Sequence, residues 1–140
     1  MERVGRALRI ALATAVLSGL LITLCMWIGS PLLSMVFLPA DSVAFAIASN
    51  GLPLLGLCTL FFAVNITFIG YYQSIEKVVI STVYSMLRGI IFVVPAFLFL
   101  PGLIGDSGLW LSIPVAEVTT MLTIITVYLV RNSRKRRPAT

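Results

Sequence analysis

Residues 7–28 read ALRIALATAVLSGLLITLCMWI, a long apolar run without an acidic residue. A helix that crosses about 30 Å of hydrocarbon needs about 20 mostly apolar residues, so this run predicts a transmembrane helix. Arg3, Arg6 and Arg9 at its start resemble the basic region of a signal peptide, but no small-residue cleavage site follows the run. We therefore expect a spanning helix at this position.

Three further apolar runs of spanning length follow the first. The four predicted spans are residues 7–28, 42–72, 78–100 and 108–130. Residues 1–6 precede them, and residues 131–140 form a basic tail that we expect to be poorly ordered. The sequence thus predicts an all-α membrane protein in which residues 7–130 form four transmembrane helices.

Composition excludes an ordinary soluble domain. Of the 140 residues, 59% are hydrophobic and 11% are charged, and the mean hydropathy is +1.08. Soluble domains have about 45–50% apolar and about 25% charged residues. A fold of this length in water could not cover so much apolar surface with polar groups. We expect a multi-pass protein of the plasma (inner) membrane, with the lipid bilayer as its solvent.

The positions of Lys and Arg predict the orientation. The net charge is +5, and nine of the ten basic residues lie at the amino end, in the turn at residues 73–77 or in the tail. Basic residues mark cytoplasmic segments. Both termini are therefore expected in the cytoplasm, and the connections that contain Asp41 and Asp106 are expected outside. Because the surplus charge flanks apolar spans, we expect no nucleic-acid partner.

Residue content also argues against an enzyme. The chain has no histidine, no paired carboxylates and no phosphate-cradling glycine loop. Its two cysteines, Cys25 and Cys58, lie within apolar runs and are expected to pack as small residues rather than form a disulfide. We expect no catalytic residue, no metal site and no cofactor beyond a possible coupling ion, H+ or Na+.

Small and turn-forming residues predict helix ends and helix contacts. Gly29, Ser30 and Pro31 are expected to end the first span, and residues 32–39 to form an apolar connection. Two stripes of small residues, which let helices approach closely, predict contacts inside the bundle. They are Ala11, Ala15, Gly19 and Thr23 in the first span, and Ser49, Gly56, Ala63 and Gly70 in the second.

Two charged residues lie deep inside predicted spans. Arg88 is about 16 Å from the cytoplasmic start of the third span, and Glu117 is about 14 Å from the outer start of the fourth, at 1.5 Å per residue. In antiparallel neighbours joined by a short connection, the two side chains would pair near the middle of the membrane. Two interpretations stay open: a charge pair or titrating carboxylate that lines a transport path, or a buried ion pair that fixes helix register.

A stripe of aromatic residues surrounds one amide on the second span. It consists of Phe61, Asn65, Phe68 and Tyr72. Aromatic rings beside one polar group are typical of a pocket for flat organic cations, and they also suit a surface that faces lipid. Trp27 and Trp110 are expected to anchor the bundle at the outer membrane–water interface.

Three sequence motifs resemble one transporter family in order and spacing. They are NITFIGYYQS at residues 65–74, SMLRG at residues 85–89 followed by Pro95, and GLWLSIPVAE at residues 108–117. From Asn50 to Val130 the chain resembles the carboxy-terminal end of multidrug and toxic compound extrusion (MATE) transporters. Arg88 and Glu117 match the family's pattern in its eleventh and twelfth helices.

The resemblance implies a twelve-helix fold of two six-helix lobes, of which these spans would be the last four. It implies export of organic, often cationic, compounds in exchange for protons or sodium. It also implies that the chain is incomplete alone and acts with upstream helices or a partner subunit. Some family members place a coupling carboxylate on the tenth helix, whereas the matching span here has no acid between Asp41 and Glu76.

Two other functions remain open at this point. One is a four-helix exporter that acts as a dimer, like small multidrug resistance proteins, although those have an essential acid in the first helix and residues 7–28 have none. The other is a membrane module without transport activity that packs against a partner.

Overall fold

The computed structural model describes residues 2–136, and the side chains of residues 4–131 within them. It contains helices and turns, with no strand in the described part of the chain. The helices are α1 (Glu2–Phe37), α2 (Val43–Ser74), α3 (Val78–Met86), α4 (Val93–Ile104) and α5 (Asp106–Arg136), with a π-helical turn at Leu87–Ile91. Four stretches are long and apolar enough to cross a membrane: Val4–Phe37, Val43–Ser74, Val78–Ile104 and Asp106–Arg131. The predicted all-α membrane architecture is confirmed.

The first helix is longer than the sequence suggested. Gly29, Ser30 and Pro31 were expected to end it, but α1 continues to Phe37, so the predicted connection at residues 32–39 is wrong for most of its length. A proline removes one intrahelical hydrogen bond, and in lipid a continued helix is the way to pair the remaining backbone groups. The actual connection is short and ends at Ser42, whose Oγ caps α2 by accepting from the Phe45 N–H at 3.1 Å.

The third span is interrupted in its middle. Its π-helical turn closes with a bond from the Phe92 N–H to the Leu87 carbonyl oxygen at 2.9 Å, five residues apart. Pro95 follows within one turn, and its ring lacks an N–H and crowds the carbonyl of Ile91 four residues earlier. The widened turn accommodates that crowding, and Arg88 lies within it. Beyond it α4 extends to Ile104, past the predicted end at Leu100.

The last helix also extends beyond its predicted bounds. It begins at Asp106 and runs through Arg136, so the first part of the basic tail is helical rather than poorly ordered. Residues 137–140 of that tail lie outside the described residues. Because four spans cross the membrane, α1 begins and α5 ends at the same side of the bundle. We call this side the basic end, and the side with Asp41 and Asp106 the acidic end.

Helix α2 occupies the centre of the bundle, with α1 packed on one side and α5 on the other. Helix α5 also packs against α4, and α3 packs against α2. The buried apolar core lies toward the basic end, and its members are Leu8, Val64, Phe68, Ile69, Tyr72, Tyr84 and Ile124. Most other large apolar side chains are exposed, as expected of surfaces that face lipid.

The α1–α2 interface contains three of the predicted small residues, Gly19, Thr23 and Gly56. A Cβ on Gly19 would lie 2.8 Å from the Leu60 Cα, so only glycine permits this close approach. Thr23 Oγ1 donates to the Gly56 carbonyl oxygen at 3.0 Å and lies 2.9 Å from Thr59 Oγ1. Close packing at small residues and hydrogen bonds from threonine hydroxyls therefore join α1 to α2, as is common between membrane helices. Gly70, at the end of the second stripe, has open space where a side chain would be.

Candidate functional site

Arg88 and Glu117 form an ion pair between the third and fourth spans. Arg88 Nε lies 3.1 Å from Glu117 Oε1. The Glu117 side chain is 4% exposed, whereas that of Arg88 is 23% exposed. The contact that the depths of Arg88 and Glu117 predicted is therefore present, and it joins the π-helical turn to α5.

Asn65 on α2 completes the arrangement from the other side. Its Nδ2 donates to Glu117 Oε2 at 2.7 Å and to the Glu117 backbone carbonyl oxygen at 2.9 Å. Both carboxylate oxygens of Glu117 are therefore engaged, one by a cation and one by an amide. Asn65 is fully buried, and its Oδ1 has no hydrogen-bond partner among the described residues. We call Asn65, Arg88 and Glu117 the polar cluster.

Phe62 supports the cationic member of the polar cluster. The Arg88 Cζ lies 4.3 Å from the centroid of the Phe62 ring, a distance typical of a cation–π contact. Phe62 is exposed, so Arg88 meets the outer surface of the described bundle beside this ring. Phe62 was not among the site residues predicted from the sequence. Its position three residues before Asn65, one helical turn away, was the available signal.

The aromatic stripe on α2 does not face lipid as a whole. Phe68 and Tyr72 are both buried. The Phe68 ring packs edge-on against Tyr128 with centroids 5.5 Å apart, and the Tyr72 ring packs against Tyr84 at 5.4 Å. Phe61 is half-buried. The lipid-facing interpretation is therefore wrong for Phe68 and Tyr72, because their rings fill the core between the polar cluster and the basic end.

The polar cluster contains a carboxylate that a proton or another cation can neutralise, which its apolar surroundings do not offer. As an ion pair it carries no net charge, which lowers the cost of its burial. If a proton or another cation neutralised Glu117, Arg88 would lose its counter-charge within the membrane. An unpaired charge is costly in lipid. The binding of a proton or another cation to Glu117 is therefore linked to the position of the Arg88 side chain.

The fold and the polar cluster define a multi-pass membrane protein in which a buried carboxylate, deep within the spans, pairs with a partly exposed arginine. Ionisable residues at such depth are a common feature of transport proteins. A family model described as MatE matches residues 1–98 of the 140. The chain therefore belongs to the MatE family of transporters, which confirms the family resemblance. No curated protein and no solved structure matches the chain.

The matched range includes part of the polar cluster. Asn65 and Arg88 lie within residues 1–98, and Glu117 lies beyond them. The motifs at residues 65–74 and 85–89 lie within the matched range, and the motif at residues 108–117 lies beyond it. The family is thus supported by a different part of the chain from that motif.

Proposed function

We propose that this chain forms the carboxy-terminal four helices of a MATE-type antiporter, which exports organic, often cationic, compounds in exchange for H+ or Na+. It acts together with further helices, either upstream in the same polypeptide or in a partner subunit. The polar cluster is the observation that carries the proposal. Three membrane spans contribute one side chain each, two of them charged, to the same point in a mostly apolar bundle.

Within this proposal, Glu117 is the residue that responds to the coupling ion. It is the only acid well inside the spans, since the other four acids lie at or near their ends. Asn65 holds its Oε2 and Arg88 pairs with its Oε1. Neutralisation of the carboxylate releases Arg88, which is already partly open to the surface beside Phe62. A single carboxylate favours a proton over sodium, because hard metal ions take several oxygen ligands.

The remaining aromatic residues of the stripe serve the same region in supporting positions. Phe61 lies one turn before Asn65 and is half-buried, which suits contact with a flat substrate. Phe68 and Tyr72 exclude water from the core between the polar cluster and the basic end. Water there would compete for the hydrogen bonds of the ion pair.

The exposed faces of α1 and of the third span leave room for further helices as well as for lipid. In the most apolar window of α1 and in that of the third span, 6% of residues are buried, against 28% in α2 and in α5. Alternating access in secondary transporters moves one helical bundle against another, which requires such a second bundle. The proposal predicts about eight additional helices, encoded in frame upstream or in a neighbouring gene. An isolated four-helix gene in the genomic DNA would contradict that part.

Ion-driven efflux tests the proposal. The chain, assembled with the helices encoded beside it, is placed in liposomes loaded with a fluorescent organic cation, under an imposed pH or sodium gradient. We expect gradient-driven efflux that Glu117→Gln reduces to the level of protein-free liposomes. Glu76→Gln is the matched control, because Glu76 lies in the exposed turn between α2 and α3. Unchanged efflux in Glu117→Gln would refute the role of the carboxylate.

A further inference from the structure

The acidic end of the bundle, away from the polar cluster, contains space that the described side chains do not fill. A cavity of about 650 Å³ lies between the first half of α2, the middle of α4 and the first turns of α5. Asn50, Leu54, Phe97, Asp106, Trp110 and Ile113 are among the residues that line it. Nothing in the proposed transport role uses this space.

The wall of this cavity is built by a close contact between α2 and α5. The indole of Trp110 occupies the space that a Cβ on Gly51 would need. Gly51 thus lets the large ring lie against the α2 backbone. Trp110, which was expected to be an interfacial anchor, is half-buried and forms one wall of the cavity.

The polarity of the cavity changes along the membrane normal. Asp106 and Ser107 lie at the start of α5, and Ile113 lies about 10 Å deeper along the same helix. On α2 the deepest lining residues, Leu54 and Leu55, are also apolar. A polar mouth above an apolar shaft of this depth matches a lipid, whose headgroup stays at the interface while its chain enters the hydrocarbon.

The charge at the mouth selects among lipid headgroups. Among the residues whose side chains the structure describes, Asp106 is the only charged one that lines the cavity. Its carboxylate disfavours a lipid with net negative charge and favours one whose headgroup presents an ammonium. Within the described bundle the cavity is open from the side, since Ile47 and Leu109 on its rim are more than half exposed.

We propose that this cavity binds one acyl chain of a phosphatidylethanolamine molecule in the leaflet at the acidic end, with the lipid ammonium beside Asp106. The proposal is independent of the transport cycle, because it uses none of the three residues of the polar cluster. It assigns Trp110 to the lipid-binding wall and Gly51 to the close approach that shapes it.

Quenching of Trp110 fluorescence by brominated lipid tests this directly. The chain has two tryptophans, so Trp27→Phe leaves Trp110 as the only reporter. This variant is reconstituted into phosphatidylglycerol liposomes that contain a small, equal fraction of either brominated phosphatidylethanolamine or brominated phosphatidylglycerol. We expect the ethanolamine lipid to be favoured by about threefold, the size of an exposed ion-pair contribution.

Two further variants make the result specific. Asp106→Asn should remove the preference between the two lipids, while Asp41→Asn, an acid that does not line the cavity, should leave it intact. Leu54→Phe narrows the cavity and should reduce quenching by both lipids. Equal quenching in the Trp27→Phe protein overturns the proposal, as does a preference that survives Asp106→Asn. Absence of quenching by either lipid also overturns it, because the cavity would then be closed to lipid.

Discussion

The two interfaces of α2 are built from different chemistry. Toward α1, contact depends on a missing side chain at Gly19 and on the neutral hydroxyls of Thr23 and Thr59. Toward α5, the close approach at Gly51 is joined by an amide that holds one oxygen of a carboxylate, whose other oxygen meets a guanidinium. Close packing and weak hydrogen bonds suffice to hold membrane helices together. The charges at the second interface therefore exceed what association requires, which is the reason to assign them a function.

The largest expected loss of stability comes from removing one charge of the polar cluster. Arg88→Ala leaves the Glu117 carboxylate without its counter-ion, and breaking such a pair costs about 3 kcal/mol. Unfolding of the purified protein in mixed detergent–SDS micelles measures the loss. Arg88→Ala combined with Glu117→Gln should recover most of it, because no buried charge is then unpaired. A double variant as unstable as the single one would show that the charges do not dominate this interface.

The next effect tests close packing at the α1–α2 interface. Gly19→Ala places a Cβ against the Leu60 backbone, and such overpacking costs about 2 kcal/mol. Gly29→Ala on the same helix is the control, since nothing lies within 4 Å of its added Cβ. In the same unfolding measurement, the control should be neutral or more stable by up to about 1 kcal/mol, the helix-propensity gain. Equal effects at both glycines would refute the close approach of α1 to α2.

A smaller effect concerns the aromatic support of the polar cluster. Phe62→Leu removes the cation–π contact to Arg88 and should cost about 0.5–1 kcal/mol of unfolding free energy. Phe99→Leu, at an exposed position on α4, is the matched control and should change stability little. In an Arg88→Met background, Phe62→Leu should lose most of its effect. A full effect in that background would mean that the ring packs independently of the guanidinium.

The smallest effect is expected from a hydroxyl at the α1–α2 interface. Thr23→Val removes the donor to the Gly56 carbonyl oxygen, and an interhelical bond of this kind contributes about 0.6 kcal/mol. Thr14→Val is its control, because the Thr14 hydroxyl donates within its own helix to Ile10. Comparison of the two variants by unfolding isolates the interhelical part. A loss for Thr23→Val as large as that for Arg88→Ala would contradict the contrast between the interfaces.

Much of the architecture was predictable because lipid imposes simple rules. Spanning length and apolar content located all four membrane helices, and depth along antiparallel helices brought Arg88 and Glu117 together. Helix ends were less predictable. Pro31 reads as a stop signal in water, but in lipid the backbone beyond it still needs helical hydrogen bonds, so α1 continues.

The role of Asn65, the third member of the polar cluster, could not be predicted from the sequence. Asn65 was grouped with aromatic residues of its own helix, because sequence periodicity reports which residues share a face and not which helix that face meets. The π-helical turn that contains Arg88 was missed for a related reason. Pro95 lies inside the predicted third span, but the sequence does not specify whether a kink or a wider turn accommodates it.

The most direct test of the central claim removes both charges and retains the fold. In Arg88→Met combined with Glu117→Gln no charge is left unpaired, and replacement of a buried ion pair by neutral groups of similar volume is often tolerated. The measurement is gradient-driven efflux of an organic cation from liposomes, compared at equal amounts of folded protein. If the polar cluster is a transport element, this variant folds with near-normal stability and its efflux falls to that of protein-free liposomes. Normal efflux from the charge-free protein would show that the ion pair only fixes helix register, and would contradict the account.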